Sequence, residues 1–217
     1  MDIVVQIIKT LINHPSSTLT AVAGIWVAIT ASRALHTWKY QLRAEKHIQF
    51  MDKLTDTVHE YIQAMSVPIQ KLEYIEMAIE AHADTASVRN ENSKNAGVIS
   101  YIVKYGKADQ TQLFEYLNKV GPIKSRMESL ATKGQVMGFE NYRQCYNACT
   151  ILAWSYGQIE AVAGLIGSEH LNGGNKTVQQ VLDKVMTVQS SSVRESLGKH
   201  NQIFLEFVKQ NYKNLSS

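Results

Sequence analysis

From Thr10 to Ser32 the chain runs 23 residues without Asp, Glu, Lys or Arg, and Leu19 to Ala31 within that run is mostly Ala, Val, Ile and Trp. At 1.5 Å per residue this length crosses a hydrocarbon layer about 30 Å thick. Asn13, His14, Pro15, Ser16, Ser17, Thr18 and Thr20 dilute its first half. Pro15 is therefore expected to separate a short apolar lead, Ile3 to Ile12, from a span over about Ser17 to Trp38, with Ser16 or Ser17 as its cap. The competing expectation is a buried core helix or an interfacial helix of a soluble protein.

Three features favour the span. Arg33, Lys39, Arg43 and Lys46 follow it closely, while only Lys9 precedes it, which places the C-terminal side in the cytoplasm by the positive-inside tendency. Trp38 and Tyr40 lie just past the apolar run, where amphipathic rings favour headgroups, and Arg33 and Lys39 have stems long enough to snorkel. Thr20, Gly24, Ala28 and Ser32 recur every four residues as a strip of small side chains, which permits close approach between spans and predicts a homo-oligomer. A cleaved signal peptide fits poorly, because the basic residues come after the apolar stretch.

The remainder reads as all-α. Only 3 prolines and 12 glycines occur in 217 residues, and strong helix formers dominate. The predicted architecture is a transmembrane helix continuing into a long helix, followed by a four- to five-helix bundle, with an anchor over 1–38 and a cytoplasmic domain over 39–217. Met51, Leu54, Val58, Tyr61, Ile62 and Met65 follow helical spacing. Ile69, Leu72, Ile75, Met77 and Ile79 resume it after Pro68, so a kinked helix or two stacked ones should reach about Ala83. Asp84 to Gly97 reads as a polar connection. Val98, Ile99, Ile102 and Val103, then Leu113, Tyr116, Leu117, Val120, Ile123, Met127 and Leu130, make the next helix or pair, with kinks or breaks at Gly106 and Gly121-Pro122 and a turn at Lys133 to Gly138.

Phe139 to Ile166 is the most apolar soluble stretch and is expected at the bundle centre, since Arg143 and Glu160 leave too short an uncharged run for a second span. Gly167 should stop it, a loop should follow at Asn172-Gly173-Gly174-Asn175, and Thr177 should cap the next helix. The last helix, presenting Val193, Leu197, Ile203, Phe204, Phe207, Val208 and Tyr212, is expected to join it through Ser190, Ser191 and Ser192.

The sequence offers no catalytic constellation. No two of the seven histidines are three or four apart; His59-Glu60 begins a zinc-protease helix motif, but Gln63 stands where its second histidine belongs. Gly174-Asn175-Lys176-Thr177 resembles the end of a phosphate loop without the preceding strand such a loop needs. Cys145 and Cys149, four apart, read as buried reduced thiols. No metal, cofactor or catalytic residue is assigned. The net charge of +3, spread without a block of like charges, argues against a nucleic-acid partner.

Trp38-Lys39-Tyr40-Gln41-Leu42-Arg43 after the apolar helix, with Phe207-Val208-Lys209-Gln210-Asn211-Tyr212-Lys213 near the C-terminus, resembles the layout of scattered uncharacterised bacterial proteins with one N-terminal span and a cytoplasmic helical domain. The resemblance implies single-pass placement in the bacterial inner (cytoplasmic) membrane and carries over no functional residue. The expected function is a non-enzymatic, membrane-tethered scaffold, sensor or accessory subunit with lipid, a second copy and an unidentified protein as partners. Two alternatives stand beside it: a membrane-damaging toxin or defence effector whose spans oligomerise, and a soluble helical enzyme or ligand carrier with an apolar pocket near Trp154.

Overall fold

With so few prolines and glycines, little in the chain stops a helix once it starts. The computed structural model is accordingly helical in every regular element among the residues it describes, which are 15–88, 96–168, 170 and 175–216. The protein is all-α. Helix α1 spans Pro15–Val88, α2 Ala96–Tyr101, and a π-helical turn, Ile102–Gly106, joins α2 to α3, Lys107–Gly134. Helices α4, α5 and α6 follow at Tyr142–Ile166, Lys176–Val185 and Ser190–Ser216. The lead Ile3 to Ile12 and the Gly173-Gly174 loop lie outside the described residues.

The chain divides into two compact units, Met1–Gln49 and Phe50–Ser217. In the second, burial begins at Met51 and repeats at Leu54, Val58, Tyr61, Met65, Pro68, Leu72, Ile75 and Ile79. Steps of three and four alternate without a slip, the seven-residue period of helices packed side by side in a bundle. This explains why neither two stacked helices nor a break appears at Pro68. The proline removes one backbone hydrogen bond, at a cost of about 3 kcal/mol, but it occupies a seam position among side chains worth roughly 1.5–3 kcal/mol each on burial. Met77 lies off the seam and is exposed.

Gly121 and Pro122 likewise fall inside α3 without ending it. The polar connection is shorter than its composition suggests, because α1 continues to Val88. Pro15 is the first residue of α1, so Ser16 and Ser17 lie within the helix instead of capping it; proline suits that end because its missing N–H has no partner there in any case. The expected turn after Lys133 is present, with Gly138 at φ 76° and Asn141 at φ 56°, the left-handed region that glycine and asparagine tolerate.

Helix α4 is central, packing along both α3 and α6. Cys145, Ala148, Cys149, Leu152, Ile159, Val162 and Ile166 are among its buried residues. It is also, among the described residues, the helix long and apolar enough by length and composition to cross a membrane, and here those apolar side chains belong to the bundle core. Tyr61 ties α1 to α4 by donating to the Leu152 carbonyl at 2.7 Å.

The cap of α5 is Asn175, whose side chain accepts from the Thr177 N–H at 2.8 Å, so Thr177 receives the cap instead of supplying it. Helix α5 ends at Val185 and α6 starts afresh at Ser190. The start is fixed from outside: Glu76 of α1 accepts from the Ser190 backbone N–H at 2.5 Å and from its hydroxyl at 2.7 Å. A carboxylate at a helix N-terminus is favoured by the exposed N–H groups and the helix dipole. Glu76→Ala is expected to lower bundle stability by about 1–2 kcal/mol, read from the denaturant midpoint at unchanged slope. A midpoint equal to wild type would mean that this cap is dispensable.

Candidate functional site: an uncovered apolar helix and a closed bundle

In the first unit, every side chain described from Ala23 to Arg43 is exposed. Successive residues turn 100° about the axis, so Ile25, Trp26, Val27 and Ala28 together face all directions. Ile25, Trp26 and Val27 are 61%, 65% and 66% exposed. A helix apolar on all sides is ordinarily covered, and here no described residue covers the run. Each such side chain forgoes roughly 1.5–3 kcal/mol when left in water, so a few of them match the whole stability of an ordinary domain, about 5–15 kcal/mol. The polar group embedded in this run is satisfied within the helix: the Thr30 hydroxyl lies 2.6 Å from the Trp26 carbonyl and 3.1 Å from that of Val27.

The small residues Thr20, Gly24, Ala28 and Ser32 are all exposed on this helix, and a Cβ added at Gly24 would meet nothing within 4 Å. The row winds about 40° per step, the inclined ridge of a helix surface that suits a crossed partner rather than a parallel one. Arg33, Trp38, Lys39 and Tyr40 are also exposed, and none of Arg33, Lys39, Arg43 and Lys46 is ion-paired within the described residues.

The polar centre of the bundle lies around the π-helical turn, where sequence spacing gave no warning of it. Lys71 Nζ meets Asp109 Oδ1 at 2.6 Å, and the phenol of Tyr101 donates to the other carboxylate oxygen. The extra residue in the turn places Tyr101 and Asp109, eight apart, on one face as residues seven apart are in a regular helix. His82 packs edge-on against Tyr101 at 5.8 Å and Tyr105 at 5.3 Å. Its Nδ1 lies 2.8 Å from the Ala78 carbonyl, a pure acceptor, which assigns the proton to Nδ1. Both oxygens of Asp109 are thus engaged, and the cluster joins α1, α2 and α3 as a structural clasp. Val103, expected in the core, is instead 67% exposed because the turn rotates it outward.

The two cysteines are buried and free. The hydrogen bond between them and then burial push the Cys145 thiol far above its ordinary range, which leaves it unreactive. Gln63 lies 2.9 Å from His59 Nε2, filling the place of the absent histidine ligand. Among the described residues, no three His, Cys, Asp or Glu side chains converge as a metal site would require. Trp154, near which the enzyme or ligand-carrier alternative places an apolar pocket, stands 67% exposed. No family model, curated protein or solved structure matches the chain.

Phenol ionisation gives a solution check on the bundle. Burial raises Tyr61, Tyr101 and Tyr142 well above a free phenol, reinforced at Tyr101 by the hydrogen bond to Asp109 and partly offset at Tyr61 by a backbone hydrogen bond. Tyr212 is pushed up to about 12, first by burial, then by its hydrogen bond to Asp52 and by the charges of Asp52 and Asp56. The native state therefore holds these protons more tightly than the unfolded chain, whose phenols ionise near 10. Their contribution to stability is complete below about pH 10 and falls as pH rises through and beyond 12. Absorbance at alkaline pH should show Tyr212 ionising late and Tyr61, Tyr101 and Tyr142 ionising only as the bundle unfolds. Ionisation of those three ahead of unfolding would contradict the packing described.

Proposed function

We propose that this chain is a membrane-tethered, non-enzymatic helical protein that acts through protein contacts and self-association. The helix starting at Pro15 is the tether, and the bundle from Phe50 is the cytoplasmic domain. The supporting observation is the all-round apolar run from Ala23 to Ala31, covered by no described residue and closed at its C-terminal end by Arg33, Trp38, Lys39 and Tyr40. From Pro15 to Trp38 the helix rises about 36 Å at 1.5 Å per residue, enough to cross the apolar layer with some tilt. The row Thr20, Gly24, Ala28 and Ser32 is the contact for a second copy within the layer, and the excess of Lys and Arg after the span retains the bundle in the cytoplasm.

The test is fractionation of bacterial cells producing the full chain. Membranes washed with alkaline carbonate should retain the protein, and detergent should release it. Cross-linking in those membranes should yield a dimer or higher species that Gly24→Leu with Ala28→Leu reduces. Recovery of the intact chain in the carbonate supernatant overturns the tether, and monomers alone at native abundance overturn self-association.

A further inference from the structure

The basic side chains beyond the apolar run are not scattered around α1. At 100° per residue, Arg33, His36, Lys39, Arg43 and Lys46 all fall within roughly 140° of the circumference. All five are exposed. Leu35, Trp38 and Leu42 occupy a narrower arc about a third of a turn away, and Glu45, the one carboxylate in this stretch, lies on that far side. Glu45 is engaged there by Gln49 at 3.1 Å and does not neutralise the basic row.

The basic row continues a second feature upward into the apolar run. Ile25, Ala28, Ile29, Ser32 and Arg33 line a shallow open trough on the helix surface. The small side chains of Ala28 and Ser32 leave a depression beside the two isoleucines, and Arg33 closes its end. The centre of this trough lies on the same side of the helix as the centre of the basic row, by the same 100° rule. An apolar channel leading into a line of cations is complementary to a molecule with a hydrocarbon tail and an anionic head.

We infer that this face of α1 binds an anionic phospholipid, with an acyl chain along Ile25 and Ile29, on the flank of the trough away from the Thr20 and Gly24 contact with a second copy, and the phosphate head at Arg33, His36, Lys39 and Arg43. The inference rests on the membrane tether proposed above and adds a lipid class to it. The guanidinium groups of Arg33 and Arg43 offer paired donors to phosphate oxygens, and Lys39 supplies a point charge between them. Basic side chains at an anionic surface each strengthen binding about fivefold at moderate salt. The orientation of the chain needs only the count of Lys and Arg, whereas lipid selection needs them on one face.

The experiment reconstitutes the purified full chain in phosphatidylcholine vesicles with and without phosphatidylglycerol, and measures association of spin-labelled phosphatidylglycerol against spin-labelled phosphatidylcholine. Wild type should prefer the anionic lipid by about fivefold or more, and added salt should lower that preference. Arg33→Gln combined with Lys39→Gln and Arg43→Gln should bring the ratio close to one, and Glu45→Gln should not reduce it. Flotation with neutral vesicles reports the tether separately: the triple variant should still float. Equal association of the two lipids with a wild-type chain that floats overturns the lipid site alone. A chain that floats with neither vesicle overturns both readings. Loss of the preference on adding soluble glycerol phosphate would assign the row to free phosphate esters and also defeat the inference.

Discussion

Gly106→Ala is expected to destabilise the bundle by about 3 kcal/mol, the upper range for an overpacked core position. A Cβ built at Gly106 would stand 1.9 Å from the Ile166 carbonyl oxygen and 3.0 Å from its carbon. Both are backbone atoms at the end of α4, so relief requires moving a helix and not merely turning a side chain. Gly167 is the natural control. The three atoms nearest a Cβ there all belong to the end of the Gln110 side chain, the amide carbon at 1.9 Å, and that group can swing aside. Gly167→Ala should cost less than about 1 kcal/mol. In a chain of this size the difference corresponds to a Tm drop of roughly 6–12 °C for the first variant and little for the second. Thermal unfolding in detergent checks both, and equal Tm values would remove the close approach of the π-helical turn to α4.

The second large effect is expected at Asp109. Its side chain is 20% exposed and that of Lys71 is 17% exposed, while Tyr101 is 1% exposed. Asp109→Ala leaves a mostly buried ammonium without its counter-ion and a buried phenol without its acceptor. The expected loss is about 2–3 kcal/mol, below the value for a fully buried pair because water still reaches both charges. Replacing all three polar groups, Lys71→Met and Asp109→Leu with Tyr101→Phe, should recover much of it, since apolar side chains of similar size remove the desolvation cost together with the attraction and leave no buried phenol unpaired. Glu115→Ala provides the contrast. Glu115 pairs with Lys119 at 3.2 Å on an exposed face, and its loss should change stability by less than about 0.5 kcal/mol. Denaturant midpoints that fall equally for Asp109→Ala and Glu115→Ala would show that the clasp does not hold the three helices.

Much of the fold is legible because the information is local and periodic. The spacing from Met51 to Ile75 predicted a buried stripe, and Gly167 marked the end of α4. Of the kink or break expected at each proline, the break does not occur: Pro68 and Pro122 each sacrifice one hydrogen bond, but they lie in helices whose buried stripe continues on both sides. A breaker rule weighs the lost bond and not the packing around it. The cap at Asn175 was missed by two residues because Asn175 and Thr177 are both good cap types, and only the backbone decides between them, with Asn175 extended at φ −83°, ψ 123°. The Lys71, Tyr101 and Asp109 clasp joins residues 38 positions apart. Periodicity carries no trace of such a pairing.

The candidate membrane surface was legible in the opposite way. Charge-free length, terminal aromatics and the basic bias are properties of composition, so the proposal for Arg33, Trp38, Lys39 and Tyr40 draws on the sequence alone. The helix adds the angular arrangement, which separates Arg33, His36, Lys39 and Arg43 from Leu35, Trp38 and Leu42.

The π-helical turn from Ile102 to Gly106 carries one residue more than the path between its neighbours needs. The polypeptide therefore keeps a small reserve of length beside its clasp. A lost codon for exposed Val103 can be absorbed there by reversion to ordinary helix, with Tyr101 still above Asp109. The same loss inside α4 would turn half of the central helix by about 100° and point its buried residues outward.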